Sequence, residues 1–196
     1  LATSGLALNA GLRFIGLDLN WIQLPGAVSI LKAVTSPQSK VRAVSLHYNP
    51  MFLGVVPSHP NCRLLLDLLS AAHRLRVISL VGTGMCDEVG AHILKALCHH
   101  KSIGLLGISF NNIGDGTMHA LVEMKKVNTS LEVISLEECK ITDTGISLLL
   151  HSPGVMSTGM DKVYLCKNPC SPDPFRQPLD NTAPSLRMAD ILEYIS

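Results

Sequence analysis

The sequence has little charge and few aromatic residues for its size. Only 16% of its 196 residues are charged and 4% are aromatic, and 16 basic residues face 15 acidic ones for a net charge of +1. This balance argues against bulk attraction to nucleic acid or to an anionic membrane. No apolar run approaches the ~18 residues that a membrane span requires. Because 47% of the residues are nevertheless hydrophobic, the chain can bury a sizeable core.

Motifs for catalysis, cofactors and metals are also missing from the sequence. It has no phosphate-binding loop, no Gly-x-Ser-x-Gly, no His-Glu-x-x-His and no Cys-x-x-Cys pair. Cys98, His99 and His100 are adjacent, but adjacent side chains at the end of a helical stretch rarely converge on one ion. We therefore expect no enzyme activity, no cofactor and no metal site.

Six cysteines are spread through the chain without the short spacings of a disulfide framework. Such frameworks usually belong to shorter secreted chains, so these cysteines are expected to be reduced. The chain begins at Leu1, and no charged segment leads into an apolar stretch as in a signal peptide. We expect an intracellular, cytoplasmic protein, with a cytoskeletal or ciliary assembly as one setting.

A repeat is the strongest signal in the sequence. Three segments, 75–80, 103–108 and 131–136, start 28 residues apart and have apolar residues at positions 1, 4 and 6. Position 9 of each unit is Thr, Asn or Cys, and position 13 is Asp in all three. The same frame extends in both directions, so that units 1 to 6 start at residues 12, 41, 75, 103, 131 and 160.

This pattern resembles the leucine-rich repeat family, whose consensus is L-x-x-L-x-L-x-x-N/C/T, and in particular its ribonuclease-inhibitor-like subtype with units of 28–29 residues. The resemblance implies an α/β fold: a right-handed solenoid shaped as a horseshoe, with parallel strands on the concave face and helices on the convex face. The residues agree, because positions 4 and 6 alternate as a strand requires and helical apolar spacing follows each turn. Stacked units would share one continuous core.

We predict three segments along the chain. Residues 1–168 form the solenoid, beginning with a partial unit at 1–11, and unit 2 contains a longer, proline-bounded loop on the rim. Residues 169–184 contain five prolines and form an extended segment. Residues 185–196 form an amphipathic helix, which either caps the last unit or docks on a partner or on the concave face. Since Leu1 falls inside a unit, we expect a piece of a longer repeat protein.

Three surfaces are candidates for partner binding. Position 3 of the strands is apolar in five of six units and would form a stripe on the concave face, although β-propensity alone explains the same residues. Position 2 changes from Arg in units 1 to 3 to acidic residues in units 5 and 6. Aromatic residues, with Met51 beside them, follow the first two strands at the rim. The predicted partner-binding residues on the concave face and rim are Arg13, Phe14, Asp18, Trp21, Arg42, His47, Tyr48, Phe52, Arg76, Val77, Leu105, Phe110, Glu132, Val133, Glu137 and Tyr164.

The sequence therefore predicts a non-catalytic scaffold that binds a protein partner, as a part of a longer chain or of a multi-subunit complex, and binds neither nucleic acid nor membrane. Ribonuclease-inhibitor-like repeats usually mediate protein contacts, which is what the resemblance implies here. One alternative is a regulator of a small GTPase, similar to the repeat-built Ran GTPase-activating proteins, with Arg13, Arg42 and Arg76 as candidates near phosphate. Another is a structural component of a cytoskeletal or ciliary assembly.

Overall fold

The computed structural model describes residues 5, 6, 9, 11–152, 155 and 158–170. The predicted helix at 185–196, most of the proline-rich segment and most of the partial unit at 1–11 lie outside the described residues. The described strands are β1 Phe14–Gly16, β2 Ala43–Ser45, β3 Val77–Ser79, β4 Leu105–Gly107, β5 Val133–Ser135 and β6 Lys162–Tyr164. The helices named here are α1 Leu24–Val34, α2 Pro60–Ala71, α3 Asp87–Ala96, α4 Asp115–Lys125 and α5 Asp143–His151.

All six strands form one parallel sheet, in chain order from β1 to β6. Each strand occupies positions 3 to 5 of its unit, and equivalent positions pair across neighbouring strands, as in Val77 with Leu105. Consecutive helices pack side by side. Parallel strands that alternate with helices in this way confirm the α/β repeat solenoid that the sequence predicts.

The core consists of the positions that recur in every unit. In unit 3, Leu75, Ile78 and Leu80 at positions 1, 4 and 6 are fully buried, and their counterparts in units 4 and 5 are buried as well. These side chains and the inner faces of the helices form one cluster that continues from Ile15 to Met160. A single unit has no partner for its apolar face, so the stacking of neighbours supplies the burial that stabilises each unit.

Position 9 joins each turn to the turn of the preceding unit. The buried Asn111 side chain in unit 4 makes five hydrogen bonds to main-chain atoms, and Asn49 and Asn168 make similar sets in units 2 and 6. The amide nitrogen of Asn111 donates to the carbonyl oxygens of Leu80, Ile108 and Ser109, and its oxygen accepts from the N–H groups of Thr83 and Met85. Loop carbonyls and N–H groups buried by stacking are thus satisfied by one side chain.

Position 13 links helices of adjacent units. The sequence indicates that its Asp starts a turn or helix, and Asp87 is indeed the first residue of α3. Its carboxylate, however, accepts hydrogen bonds of 2.8–3.0 Å from the N–H groups of Gly114, Gly116 and Thr117 at the start of α4. Asp87 therefore caps the helix of the next unit, where N–H groups have no partner within the helix. Asp115 accepts from the N–H and the hydroxyl of Thr142, and Thr142 in turn caps α5 through the Thr144 N–H.

Candidate interaction surfaces

The concave column at position 3 is buried, which corrects the expectation of an exposed apolar stripe. Val77 is 0% and Leu105 1% exposed, and Val133 is also buried. These side chains and Ala43 form a second apolar cluster, against which Phe14 and Tyr164 pack from either end. Strands ~4.8 Å apart bring equivalent side chains into contact along the column. Val77, Leu105 and Val133 are therefore not accessible to a partner in this conformation.

Polar side chains at positions 5 and 7 bond to one another across the strands. The Asp18 carboxylate accepts hydrogen bonds from the Ser45 hydroxyl at 2.6 Å and from the His47 N–H at 2.8 Å. The His47 ring in turn bonds to the Ser79 hydroxyl. Burial lowers the pKa of His47, and the Asp18 carboxylate partly opposes that shift. Two predicted site residues, Asp18 and His47, thus connect the first three strands.

A second group of hydrogen-bonded polar side chains lies at and just after the ends of strands β4 and β5 and includes Glu137. The hydroxyls of Ser109 and Ser135 bond to each other, and the Ser109 hydroxyl accepts from the Glu137 N–H at 2.9 Å. Glu137 is itself buried. Its position at the concave face was predicted as a partner contact, but its side chain is largely enclosed by the protein.

One rim, at the carboxyl ends of the strands, has an unusual backbone at position 8. In all six units this residue has a positive φ, between 47° and 63°. The six residues are Leu19, Tyr48, Gly82, Phe110, Glu138 and Lys167. Residues other than glycine adopt this left-handed conformation infrequently, because the side chain approaches the carbonyl oxygen. The repeat imposes this conformation, and large apolar residues occupy it in units 1, 2 and 4.

Five exposed apolar side chains follow strands β1, β2 and β4 on this rim, and we call this set the aromatic rim: Leu19, Trp21, Tyr48, Leu53 and Phe110. Trp21 is 88% exposed, Leu19 and Leu53 are each 75% exposed, and Tyr48 and Phe110 are partly covered because they contact each other. The Tyr48 ring lies over Gly82, where a Cβ atom would come within 2.5 Å of it. Its edge-to-face contact with Phe110 has a centroid distance of 6.0 Å.

Phe52, predicted as a rim contact, is instead part of the core. It is fully buried together with Met51. Its N–H donates to the Thr83 carbonyl at 3.0 Å, which holds the loop of unit 2 against unit 3. The sequence leaves open whether Phe52 packs the turn or meets a partner, and the structure shows that it packs the turn. Leu53 beside it is the exposed residue.

The opposite edge of the sheet, before the strands, is charged. The position 2 residues Arg13, Arg42 and Arg76 are joined by main-chain bonds from the N–H of one to the carbonyl of the previous one. The ladder continues through Gly104 to Glu132 and Asp161, which are acidic. Beside the three arginines lies a groove of about 670 Å³. Its basic lining residues are Arg13, Lys40, Arg42, Arg74 and Arg76.

Several residues of these surfaces are not among those predicted from the sequence. Leu19 shares position 8 with Tyr48 and Phe110, so extending the repeat frame by one column would have found it. Lys40 and Arg74 immediately precede position 1 of units 2 and 3. Comparing the residue before position 1 in each unit would have found them. Leu53 lies in the irregular loop, where no column provides a signal.

Within the described residues no group of His, Cys, Asp and Glu side chains could hold a metal ion. No helix in that part of the chain is long and apolar enough to cross a membrane.

Comparisons with known proteins agree with the repeat. No known family profile matches the chain. The chain is 31% identical over 91 residues to the NACHT, LRR and PYD domains-containing protein 4B of Mus musculus. This match covers 45% of this chain and 10% of that protein. It is 26% identical to the ribonuclease inhibitor of Sus scrofa over 175 residues, covering 74% of this chain and 37% of the inhibitor.

A third relative is the NACHT, LRR and PYD domains-containing protein 14 of Mus musculus, 28% identical over 155 residues. This match covers 76% of the chain but 15% of that protein. The chain thus spans less than half the length of each of these relatives. The repeat frame, the parallel sheet and these relatives together show a leucine-rich repeat solenoid that is similar to the ribonuclease-inhibitor-like subtype.

Proposed function

We propose that this chain is a non-catalytic protein-interaction domain and that its partner binds the aromatic rim. Leucine-rich repeat relatives support the general role of protein binding. The observation that carries the proposal is the exposure of Trp21, Leu19 and Leu53 beside Tyr48 and Phe110. Large contiguous apolar patches on a soluble protein commonly mark an interaction site.

The rim side chains sit on a backbone that is already fixed. The N–H groups of Leu19, Tyr48 and Phe110 donate to carbonyls of the next unit at 2.8–2.9 Å. The contact between the Tyr48 and Phe110 rings restricts both side chains further. Binding to such a surface would lose little conformational entropy, which favours affinity. Tyr and Trp are also the residue types that most often dominate the binding energy of an interface.

The partner would present an apolar side chain or short apolar segment to the rim. The matching row in units 5 and 6 has the ion pair of Glu138 and Lys167 instead, so the apolar part of the rim ends after Phe110. A polar margin beside an apolar centre is the usual layout of a protein interface. The small-GTPase regulator and the cytoskeletal component are more specific versions of this role, and no observation selects one.

The experiment compares proteins that co-purify with three forms of the chain expressed in native cells. The test variant combines Trp21→Ser with Tyr48→Ser, and the matched control is Leu150→Ser, since Leu150 is a similarly exposed apolar residue on α5. We expect at least one protein to be retained by the wild type and the control and reduced more than tenfold by the test variant. Equal recovery by all three forms, with the fold intact by circular dichroism, would refute the proposal.

A further inference from the structure

We propose that the groove beside the position 2 arginines binds an acidic segment of a protein, through carboxylate or phosphate groups, at a site separate from the aromatic rim. Five basic side chains line the groove, and none of the described lining residues is acidic. A volume of about 670 Å³ is enough to hold several side chains of an extended segment. The groove lies before the strands, whereas the aromatic rim lies after them.

Three basic side chains at the centre of the groove have no ion-pair partner within the described part of the chain. The two ion pairs found there are Glu123 with Lys126 and Glu138 with Lys167, both outside the groove. Arg42, Arg76 and Lys40 take part in neither. Equivalent residues of neighbouring strands are ~4.8 Å apart, so like charges accumulate along the ladder. A bound anion would relieve that repulsion.

One wall of the groove is held in place by Arg74. Its guanidinium group donates to the carbonyl oxygens of Pro37 at 2.6 Å and Ser39 at 2.8 Å. These bonds tie the loop before β2 to the loop before β3. The groove is therefore shaped before any ligand arrives, and Arg42 and Arg76 project from a hydrogen-bonded sheet.

The residue types indicate the chemistry of the ligand. A guanidinium group presents planar, paired N–H donors that match a carboxylate or a phosphate. Side chains on one side of an extended segment recur every ~6.6–6.8 Å, so two acidic groups fit across the three arginine rungs, which span ~10 Å. An acidic segment therefore matches both the charge and the spacing of the ladder.

The charge pattern favours a short protein segment over nucleic acid. Along the same edge Arg76 is followed by Gly104 and then by Glu132 and Asp161. A long polyanion would be repelled by that acidic half, and the net charge of the chain is only +1. The acidic half would also set the direction of a segment that has its own negative charge at one end.

Fluorescence anisotropy with labelled synthetic peptides tests this site. The probes are an eight-residue peptide of alternating Glu and Ser, the same peptide with phosphorylated Ser, a Gln-Ser peptide, and a single-stranded oligonucleotide. The test variant is Arg42→Gln with Arg76→Gln. The control, Arg63→Gln with Lys140→Gln, makes the same change in net charge at exposed residues outside the groove.

We expect the acidic peptide, phosphorylated or not, to bind the wild type with an affinity that falls as salt rises, and the Gln-Ser peptide not to bind. The test variant should weaken binding at least tenfold and the control less than twofold. The stronger of the two acidic probes then identifies carboxylate or phosphate as the preferred group. Trp21→Ser should leave peptide binding unchanged, which separates this site from the aromatic rim.

Three results would overturn the inference. Equal weakening by the test and control variants would mean that only net charge matters. Tighter binding of the oligonucleotide than of either acidic peptide would assign the groove to nucleic acid. If no acidic probe binds, and the wild type and both variants are equally stable in urea, the groove does not bind acidic segments and the inference is wrong.

Discussion

Replacing Asn111 with alanine should destabilise the protein far more than an ordinary polar substitution. Its side chain satisfies three carbonyl oxygens and two main-chain N–H groups, at distances of 2.9–3.1 Å. Three of these bonds join unit 4 to unit 3, and the two to Ile108 and Ser109 stabilise the turn within unit 4. Alanine offers neither donor nor acceptor, so the N–H groups of Thr83 and Met85 and the Ile108 carbonyl lose this partner. The other two carbonyls keep a hydrogen bond, from the Thr83 hydroxyl and from the Gly82 N–H.

The magnitude follows from how many of the three groups that lose their partner remain out of contact with water. Each buried polar group left without a partner costs about 1–3 kcal/mol. Water entering the space vacated by the amide will satisfy some of them, so we expect a loss of about 3–5 kcal/mol in the free energy of unfolding. That is a large part of the ~5–15 kcal/mol that stabilises a typical domain.

Unit 1 provides a matched control. Asn20 occupies the same position 9 but is exposed, and its side chain makes a single described bond, donated to the Asp18 carbonyl at 2.8 Å. Asn20→Ala should cost less than about 1 kcal/mol. The cost of Asn111→Thr should fall between these two costs. At position 9 of unit 3, the Thr83 hydroxyl donates to the Leu80 carbonyl three residues earlier, which is the bond that Asn111 makes to Ile108 in unit 4.

Urea unfolding followed by far-ultraviolet circular dichroism measures all three variants. The slope of the transition must be compared as well as its midpoint, because repeat proteins can lose terminal units before the rest. If Asn111→Ala and Asn20→Ala differ by less than about 1 kcal/mol, the position 9 ladder is not a main source of stability and the reasoning fails.

Two further predictions concern the other connections between units. Burial lowers the pKa of His100; a hydrogen bond to the Ala72 backbone opposes that shift, and the nearby His73 adds to it. The folded protein therefore favours the neutral ring, and the free energy of unfolding should decrease as the pH falls below the ordinary pKa of 6.5. His100→Asn, the residue type of Asn128 in the next unit, should reduce this loss in unfolding measured from pH 7.5 to 5, and an unchanged profile would contradict it. Asp87→Ala should cost about 2 kcal/mol by removing the cap of α4, whereas Asp67→Ala, on an exposed part of α2, should cost less than about 0.5 kcal/mol; equal costs in urea would count against the capping role.

The repeat frame predicts much of the fold. The spacing of Leu75, Ile78 and Leu80 indicates a strand with two inward side chains, and the structure places them in the core. The same frame predicts that Arg13, Arg42 and Arg76 follow one another along an edge, which the parallel pairing confirms. Periodicity succeeds here because each unit has the same neighbours on both sides.

The frame is less informative about the irregular loop and about the contacts that side chains make with neighbouring units. Phe52 lies in the longer loop of unit 2, and its burial depends on the space left beside unit 3. Asp87 is recognisable as a helix-start residue, but only the stacking distance decides that its carboxylate reaches α4. Alternation likewise assigns Val77 to the concave face without showing whether that face is open to solvent.

The sequence by itself determined the repeat, the strand and helix positions and the residues that share each column, because these depend on local spacing. Only the tertiary structure decided which columns are accessible. It buried Val77 and Leu105 on the concave face, exposed Trp21 on the rim and formed a groove beside Arg42 and Arg76. Accessibility depends on how closely successive units stack and on what the loops cover, and these distances are set by packing across units rather than within one.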